Sequence, residues 1–201
     1  MRMVFKKNIT LKLFILLKFF LLFSSCAYQY TNEHNLDIKD VKKIKLNVKS
    51  FEINKDNLDI ITTENLLQNE INKKALNKLE AWGWQKFATK GIENKVFLNL
   101  LKIDTSVIEK RKNKKSIISI INQGKEVYKV ALNFDLSIIT NDRLIKTLKI
   151  TSSLDFELLN KYSIAQRDKA IIYNVNKLIK LIDDKVTFQL NKKAFNEFVI
   201  M

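Results

Sequence analysis

The residue best placed to do chemistry in this 201-residue chain is Cys26, its only cysteine. It follows Ser24 and Ser25, and before them residues 8–23 are mostly Leu, Ile and Phe behind Arg2, Lys6 and Lys7. A charged start, an apolar run and small residues at its end make the layout of an export leader, since small side chains let a processing enzyme close on the backbone. The second reactive-looking group is the basic run Lys110, Arg111, Lys112, Lys114 and Lys115, followed by the Ile-rich segment Ser116 to Ile121. Four to eight cations beside apolar residues can grip anionic head groups, each contributing about 1 kcal/mol near such a surface. The plain alternative is a solvated, charged loop.

Catalysis has little else to work with. His34 is the sole histidine and precedes the folded region, so nucleophile–base sets that need His or Cys are excluded there. Gly83, Gly91 and Gly124 are too scattered to cradle a phosphate. A Ser–Lys pair survives only because both residue types are common. Asp183 and Asp184 read as solvated carboxylates on the polar face of the last helix, without the further ligands a metal needs. The expectation is a non-enzyme with no cofactor and no metal.

The segment Leu22-Phe23-Ser24-Ser25-Cys26 resembles the bacterial lipoprotein signal, whose pattern is Leu, two small residues, then Cys. Ser24, Ser25 and Cys26 match it, and Phe23 stands where Leu is usual. The resemblance implies that Cys26 carries diacylglycerol and becomes the first residue of the mature protein. Two or three acyl chains anchor stably where one would be marginal. Ala27 in the next position resembles the outer-membrane sorting pattern. The competing reading is an uncleaved anchor, but residues 8–23 fall short of the roughly 20 that span a bilayer. Lys18 would also lie unpaired near the middle of that span. The expected organisation is a signal peptide over 1–25, the lipidated cysteine and tether over 26–42, an α/β domain over 43–190 and a tail over 191–201.

Cleavage lowers the net charge from +15 to +10, because residues 1–25 hold five of the 36 Lys and Arg and no acids. Acylation of Cys26 leaves no thiol, so packing alone must stabilise the exported fold. Proline is absent and glycine occurs three times, while Lys, Asn and Ile are abundant, as an A/T-rich genome produces. A basic excess can also serve an acidic partner such as anionic lipid. Nucleic acid is excluded by the expected export.

The elements that must position these groups are legible from periodicity. Residues 27–42 read as a tether, with Tyr28 and Tyr30 suited to a lipid interface. Ile44, Leu46, Val48, Phe51 and Ile53 alternate with polar residues, which predicts a strand. Thr62 or Thr63 is expected to cap a helix to about Trp82 carrying Leu67, Ile71, Ala75 and Leu79 on one face, with Gly83 ending it. Trp82 and Trp84 read as core plugs, or else as a partner patch. A strand over 94–109 has Val96, Leu98 and Leu100 on one side and Phe97, Leu101, Ile103 and Val107 across it, so it is expected to be central. Residues 110–125 form a long connection.

Tyr128, Val130, Leu132, Phe134, Leu136 and Ile138 alternate with polar residues, and Leu144, Leu148, Ile150, Leu154 and Phe156 repeat this beyond Asn141-Asp142. Two antiparallel strands with one wet and one dry face follow. A two-residue loop would set even residues against odd, so a three-residue loop or a bulge is predicted, with Asn or Asp in the left-handed position. Ser163 and Gln166 form a capping box for a helix with the stripe Ile164, Ile171, Val175, Leu178, Ile182, Val186 and Leu190. Phe195, Phe198 and Val199 either extend it or dock separately.

The expected fold is α+β, β-α-β-β-β-α, a mainly antiparallel four-stranded sheet with two helices on one face. The anchor and this order resemble small envelope lipoproteins of Gram-negative bacteria: by topology the lipopolysaccharide-assembly lipoprotein and the auxiliary lipoproteins of ABC-type transport. Ala75-Leu76-Asn77-Lys78-Leu79-Glu80-Ala81-Trp82-Gly83 and the Ser163, Ala165, Arg167 helix start are similar to uncharacterised alphaproteobacterial lipoproteins. That resemblance implies a lipid-anchored protein on the periplasmic face of the outer membrane. It would bind an outer-membrane or transporter protein, or an anionic lipid or lipopolysaccharide, in envelope assembly or transport. The alternatives are a passive structural lipoprotein and a periplasmic protein held by an uncleaved anchor.

Overall fold

A computed structural model of the protein describes residues 41–111, 124–140 and 143–200. The chain divides into the units Met1–His34 and Asn35–Met201, and the described residues all belong to the second. The elements run β1 (Ile44–Leu46), β2 (Ser50–Asn54), β3 (Asp59–Ile60), α1 (Leu66–Lys86), β4 (Phe87–Thr89), β5 (Lys95–Arg111), β6 (Lys125–Thr140), β7 (Arg143–Leu159) and α2 (Ile164–Leu190). A short 3-10 helix (Lys193–Phe198) and β8 (Val199–Ile200) close the chain.

The class is α+β. The main sheet has the order β2-β5-β6-β7, with β3 also paired to β5, and a separate sheet has the order β4-β1-β8. The main sheet is thus larger than four strands, and β2 and β3 run parallel to β5 rather than antiparallel. The region expected as one strand over Ile44 to Ile53 is split between the two sheets. Gly91 explains the break: a Cβ there would lie 2.5 Å from the Asn47 carbonyl carbon and 2.6 Å from the Val48 nitrogen. Its own N–H donates to the Val48 carbonyl at 3.1 Å. This close approach holds the chain between β1 and β2 out of either ladder.

The β6–β7 pair follows the parity argument. Thr140 pairs with Arg143, and the register then shifts so that Ile138 faces Lys146. Beyond that bulge, even faces even: Leu136 with Leu148, Phe134 with Ile150, Val130 with Leu154 and Tyr128 with Phe156. The expected left-handed Asn141 or Asp142 lies outside the described residues.

A second irregularity corrects the reading of β5. The register shifts between Leu100 and Lys102, so that Leu100 faces Phe134 while Ile103 faces Leu132. One extra residue reverses side-chain parity. Ile103 and the half-buried Val107 therefore share the dry face with Val96, Leu98 and Leu100, rather than lying across from them. The strand is central, between β2 and β6, but its wet face carries Asn99, Lys102 and Asp104, and only Phe97 and Leu101 are apolar there.

Both helices cover the dry face and belong to one core with it. They run parallel, since Lys74 meets Asp168 at 2.6 Å near their starts and Lys86 meets Asp183 at 2.6 Å near their ends. The cap of α1 is Asn65, whose side chain accepts from Leu67 and Gln68 N–H, so the expectation of Thr62 or Thr63 is off by three or two residues. Thr63 instead supports the cap, accepting from the Asn65 N–H at 3.2 Å. Gly83 does not end the helix, which continues to Lys86. It lies where the helix presses on β5, and a Cβ would meet Leu98 Cδ2 at 2.9 Å.

The capping box of α2 is present with both hydrogen bonds, Ser163 N–H to Gln166 Oε1 at 2.9 Å and Gln166 N–H to Ser163 Oγ at 3.2 Å. The predicted stripe is buried from Ile171 to Leu190, but Ile164 is not part of it and is 89% exposed. As the first helical residue it precedes the turn that reaches the sheet. The tail docks separately: Phe195 and Phe198 are buried and β8 pairs with β1.

Candidate functional site

Phe23, Ser24, Ser25 and Cys26 lie outside the described residues, as do Lys112, Lys114 and Lys115. Lys110 and Arg111 are the last residues of β5, paired with Glu126 and Lys125 at the start of β6. The basic run is therefore fixed at its root by a two-strand ladder.

What surrounds that root follows from the parallel helices. Tyr128, near the start of β6, has Asn65 and Arg167 among its electrostatic neighbours, so both helix N-termini stand at this end of the sheet. The aligned dipoles of two parallel helices bring partial positive charge to this pole. Leu66 and Ile164, the first residues of the two helices, are 82% and 89% exposed. Ile108, the extra residue where the β5 register shifts a second time, is 53% exposed.

The floor of this pole is apolar with one polar handle. Tyr128 is buried, stacks on Phe156 at 5.9 Å and donates its hydroxyl to the Glu126 carboxylate. Burial first, then the carboxylate beside it, hold the phenol neutral well above its ordinary range. A further polar knot ties α1 to β5: Thr105 Oγ1 donates to Asn72 Oδ1 at 2.6 Å, and Gln68 Nε2 to the Thr105 carbonyl at 2.8 Å. These groups saturate one another.

The largest surprise in the interior is Lys86, 1% exposed between the two helices. Its Nζ lies 2.6 Å from Asp183 Oδ1 and donates to Thr187 Oγ1 at 2.8 Å. Trp82 Nε1 donates to the same carboxylate oxygen at 2.8 Å. Asp183 is therefore not the solvated residue the sequence reading expected; it is the acceptor of a cross-helix cluster. A lysine sealed this way meets no substrate, and its contacts are all consumed in joining α1 to α2. Sequence inspection misses it because Lys86 carries no local mark of burial. Trp82 is fully buried as a core plug, whereas Trp84 is 58% exposed, edge-on to Phe51 at 5.4 Å.

Among the described residues no group of three or more His, Cys, Asp and Glu is placed to hold a metal ion. Among the same residues no helix is long and apolar enough to cross a membrane. On the wet face of the sheet opposite charges stand across the ladder, with Lys129 facing Asp155 and Asp135 facing Lys149.

No family model and no curated protein sequence matches the chain. Solved structures of similar fold include a protein described as a neuraminyllactose-binding hemagglutinin homolog from Helicobacter pylori, 11% identical over 75% of this chain and 87% of that one, with a TM-score of 0.41. A minor lipoprotein from Acinetobacter baumannii is 9% identical over 76% of this chain and 96% of that one, with a TM-score of 0.35. The rare lipoprotein B of Shewanella oneidensis is 7% identical over 71% and 98%, with a TM-score of 0.37. Bacterial lipoproteins thus stand among the structures the chain is similar to. Likeness this distant transfers no activity or partner.

Proposed function

We propose that the protein is a non-catalytic lipoprotein, tethered through acylated Cys26 to the periplasmic face of the outer membrane, which binds a partner protein or glycolipid in envelope assembly or transport. The leader ending in Ser24-Ser25-Cys26 carries this reading, because it places the chain's only thiol where acylation would anchor the mature protein. The domain behind it supports a binding role: Lys110 and Arg111, the root of its basic run, end β5 at the pole where Leu66 and Ile164 are exposed. Lys110, Arg111, Lys112, Lys114 and Lys115 are the contacts we assign to an anionic lipid or lipopolysaccharide.

Mass spectrometry of the protein from its native membrane tests the anchor. A mature N-terminal cysteine with diacylglycerol supports the reading, and an intact methionine start with a bare sulfhydryl overturns it. Replacing the five basic residues with Gln tests the ligand. Binding to vesicles of anionic lipid or of lipopolysaccharide should weaken by an order of magnitude or more, given about 1 kcal/mol per cation. Unchanged binding removes the run from the site.

A further inference from the structure

We infer that β7 is a self-association edge: two copies of this chain pair their β7 strands antiparallel about a two-fold axis through Ser152, joining their main sheets. β7 is 17 residues long and ends the strand order of the main sheet. Such an edge is a template for another strand unless it is guarded. The first part of β7 is guarded by the bulge beyond Leu144 and by Lys146, which donates to the Ala194 carbonyl of the tail. Over Ile150 to Leu154 the guard is Lys185, which reaches over from α2 to donate to the Thr151 carbonyl at 2.6 Å. That bond shows a β7 carbonyl taking a donor from outside the ladder, the role a neighbouring strand's N–H would fill. Lys185 is an exposed lysine and can release it.

The occupant is identified by charge. The first half of β7 carries Arg143, Lys146 and Lys149, the second half Asp155 and Glu157, and the five residues Ile150 to Leu154 between them are uncharged. Lys146 is held by Glu197 of the tail and Glu157 by Lys125, so Lys149 and Asp155 carry the complementarity. A strand that is basic at one end and acidic at the other complements itself when reversed. Centred on Ser152, the pairing sets Lys149 against the second copy's Asp155 and Thr151 against its Ser153. Parity is kept, so Ile150 meets Leu154 and Leu148 meets Phe156 on the dry side. The flanking β6 strands extend the pattern. Asp135 already faces Lys149 and Lys129 already faces Asp155. Across the joined sheets, one row would read Asp135, Lys149, then the second copy's Asp155 and Lys129, alternating in sign. A strand with a cation opposite Lys149 or an anion opposite Asp155 would put like beside like, which costs stability at directly opposed positions.

The test uses the full-length chain in its membrane with Ser152→Cys. Residues facing each other across a two-fold strand pair hold their Cβ atoms about 5 Å apart, within reach of a disulfide. Mild oxidation should give a reducible band of twice the chain mass, absent from the unsubstituted chain and from Lys177→Cys, which places the thiol on the exposed face of α2. In the Ser152→Cys background, Lys149→Glu alone and Asp155→Lys alone should each lower the dimer yield about ten-fold, as two opposed pairs turn repulsive. Co-expressing the two charge variants should restore it, because each copy then meets its complement. Damage within a single fold is not repaired by mixing, so recovery reads the interface itself. No band from Ser152→Cys, a band of equal strength from Lys177→Cys, or no recovery on mixing overturns the inference.

Discussion

The cluster joining α1 to α2 makes a quantitative prediction through the asymmetry of its two charges. Lys86 is 1% exposed, and its Nζ has Asp183 at 2.6 Å and the Thr187 hydroxyl at 2.8 Å. The Asp183 side chain is 21% exposed and also accepts from Trp82 Nε1 at 2.8 Å. Asp183→Ala leaves an ammonium sealed from water with one hydroxyl, and an orphaned indole N–H. Breaking a buried pair from this side costs about 3–5 kcal/mol. Lys86→Met is milder: Met fills the space of the stem, and the carboxylate keeps the indole donor and some water, for about 1 kcal/mol. With Met at 86, removing Asp183 costs only the unpaired indole, about 1–2 kcal/mol. The coupling between the two positions is then about 2 kcal/mol.

For a chain of this size about 1 kcal/mol shifts Tm by 2–4 °C, so Asp183→Ala alone should lower it by roughly 6–20 °C. Urea and thermal unfolding followed by far-ultraviolet circular dichroism on the four proteins of the cycle would measure this. Equal losses from the two single variants, adding in the double, would refute the assignment of Lys86 as a sealed charge dependent on Asp183.

Two further predictions rest on single contacts. Gly91→Ala drives a Cβ to within 2.6 Å of the backbone at Asn47 and Val48, where no side chain can swing aside, and should cost about 2 kcal/mol or more, read as a lowered denaturation midpoint. Tyr128 stays protonated in the fold above its ordinary 10.0, so the unfolded chain releases that proton first. Stability from this group is complete below about pH 10, the unfolded value, and falls as pH rises above it. Tyr128→Phe should flatten the alkaline decline in Tm; parallel pH profiles for the two proteins would count against a buried, carboxylate-bound phenol.

Local chemistry alone determined much of this molecule. The even-numbered apolar row from Tyr128 to Ile138 and its repeat in β7 depend only on residues two apart, so the hairpin and its bulge follow from parity. The Ser163–Gln166 cap needs only its own turn. What the tertiary structure decided concerns groups whose meaning depends on a distant partner. The shift at Leu101 turns an apparently two-faced strand into one with a single dry face, because Leu132 and Phe134 choose its register. Gly83 marks pressure against Leu98 rather than a helix end, and Gly91 makes room for a backbone more than forty residues earlier. Lys86 and Asp183 look like surface charges until α1 and α2 lie side by side. The two-residue β8 carries no period long enough to read, and β1, read as continuous with β2, joins a separate sheet where the tail folds back onto the start of the domain.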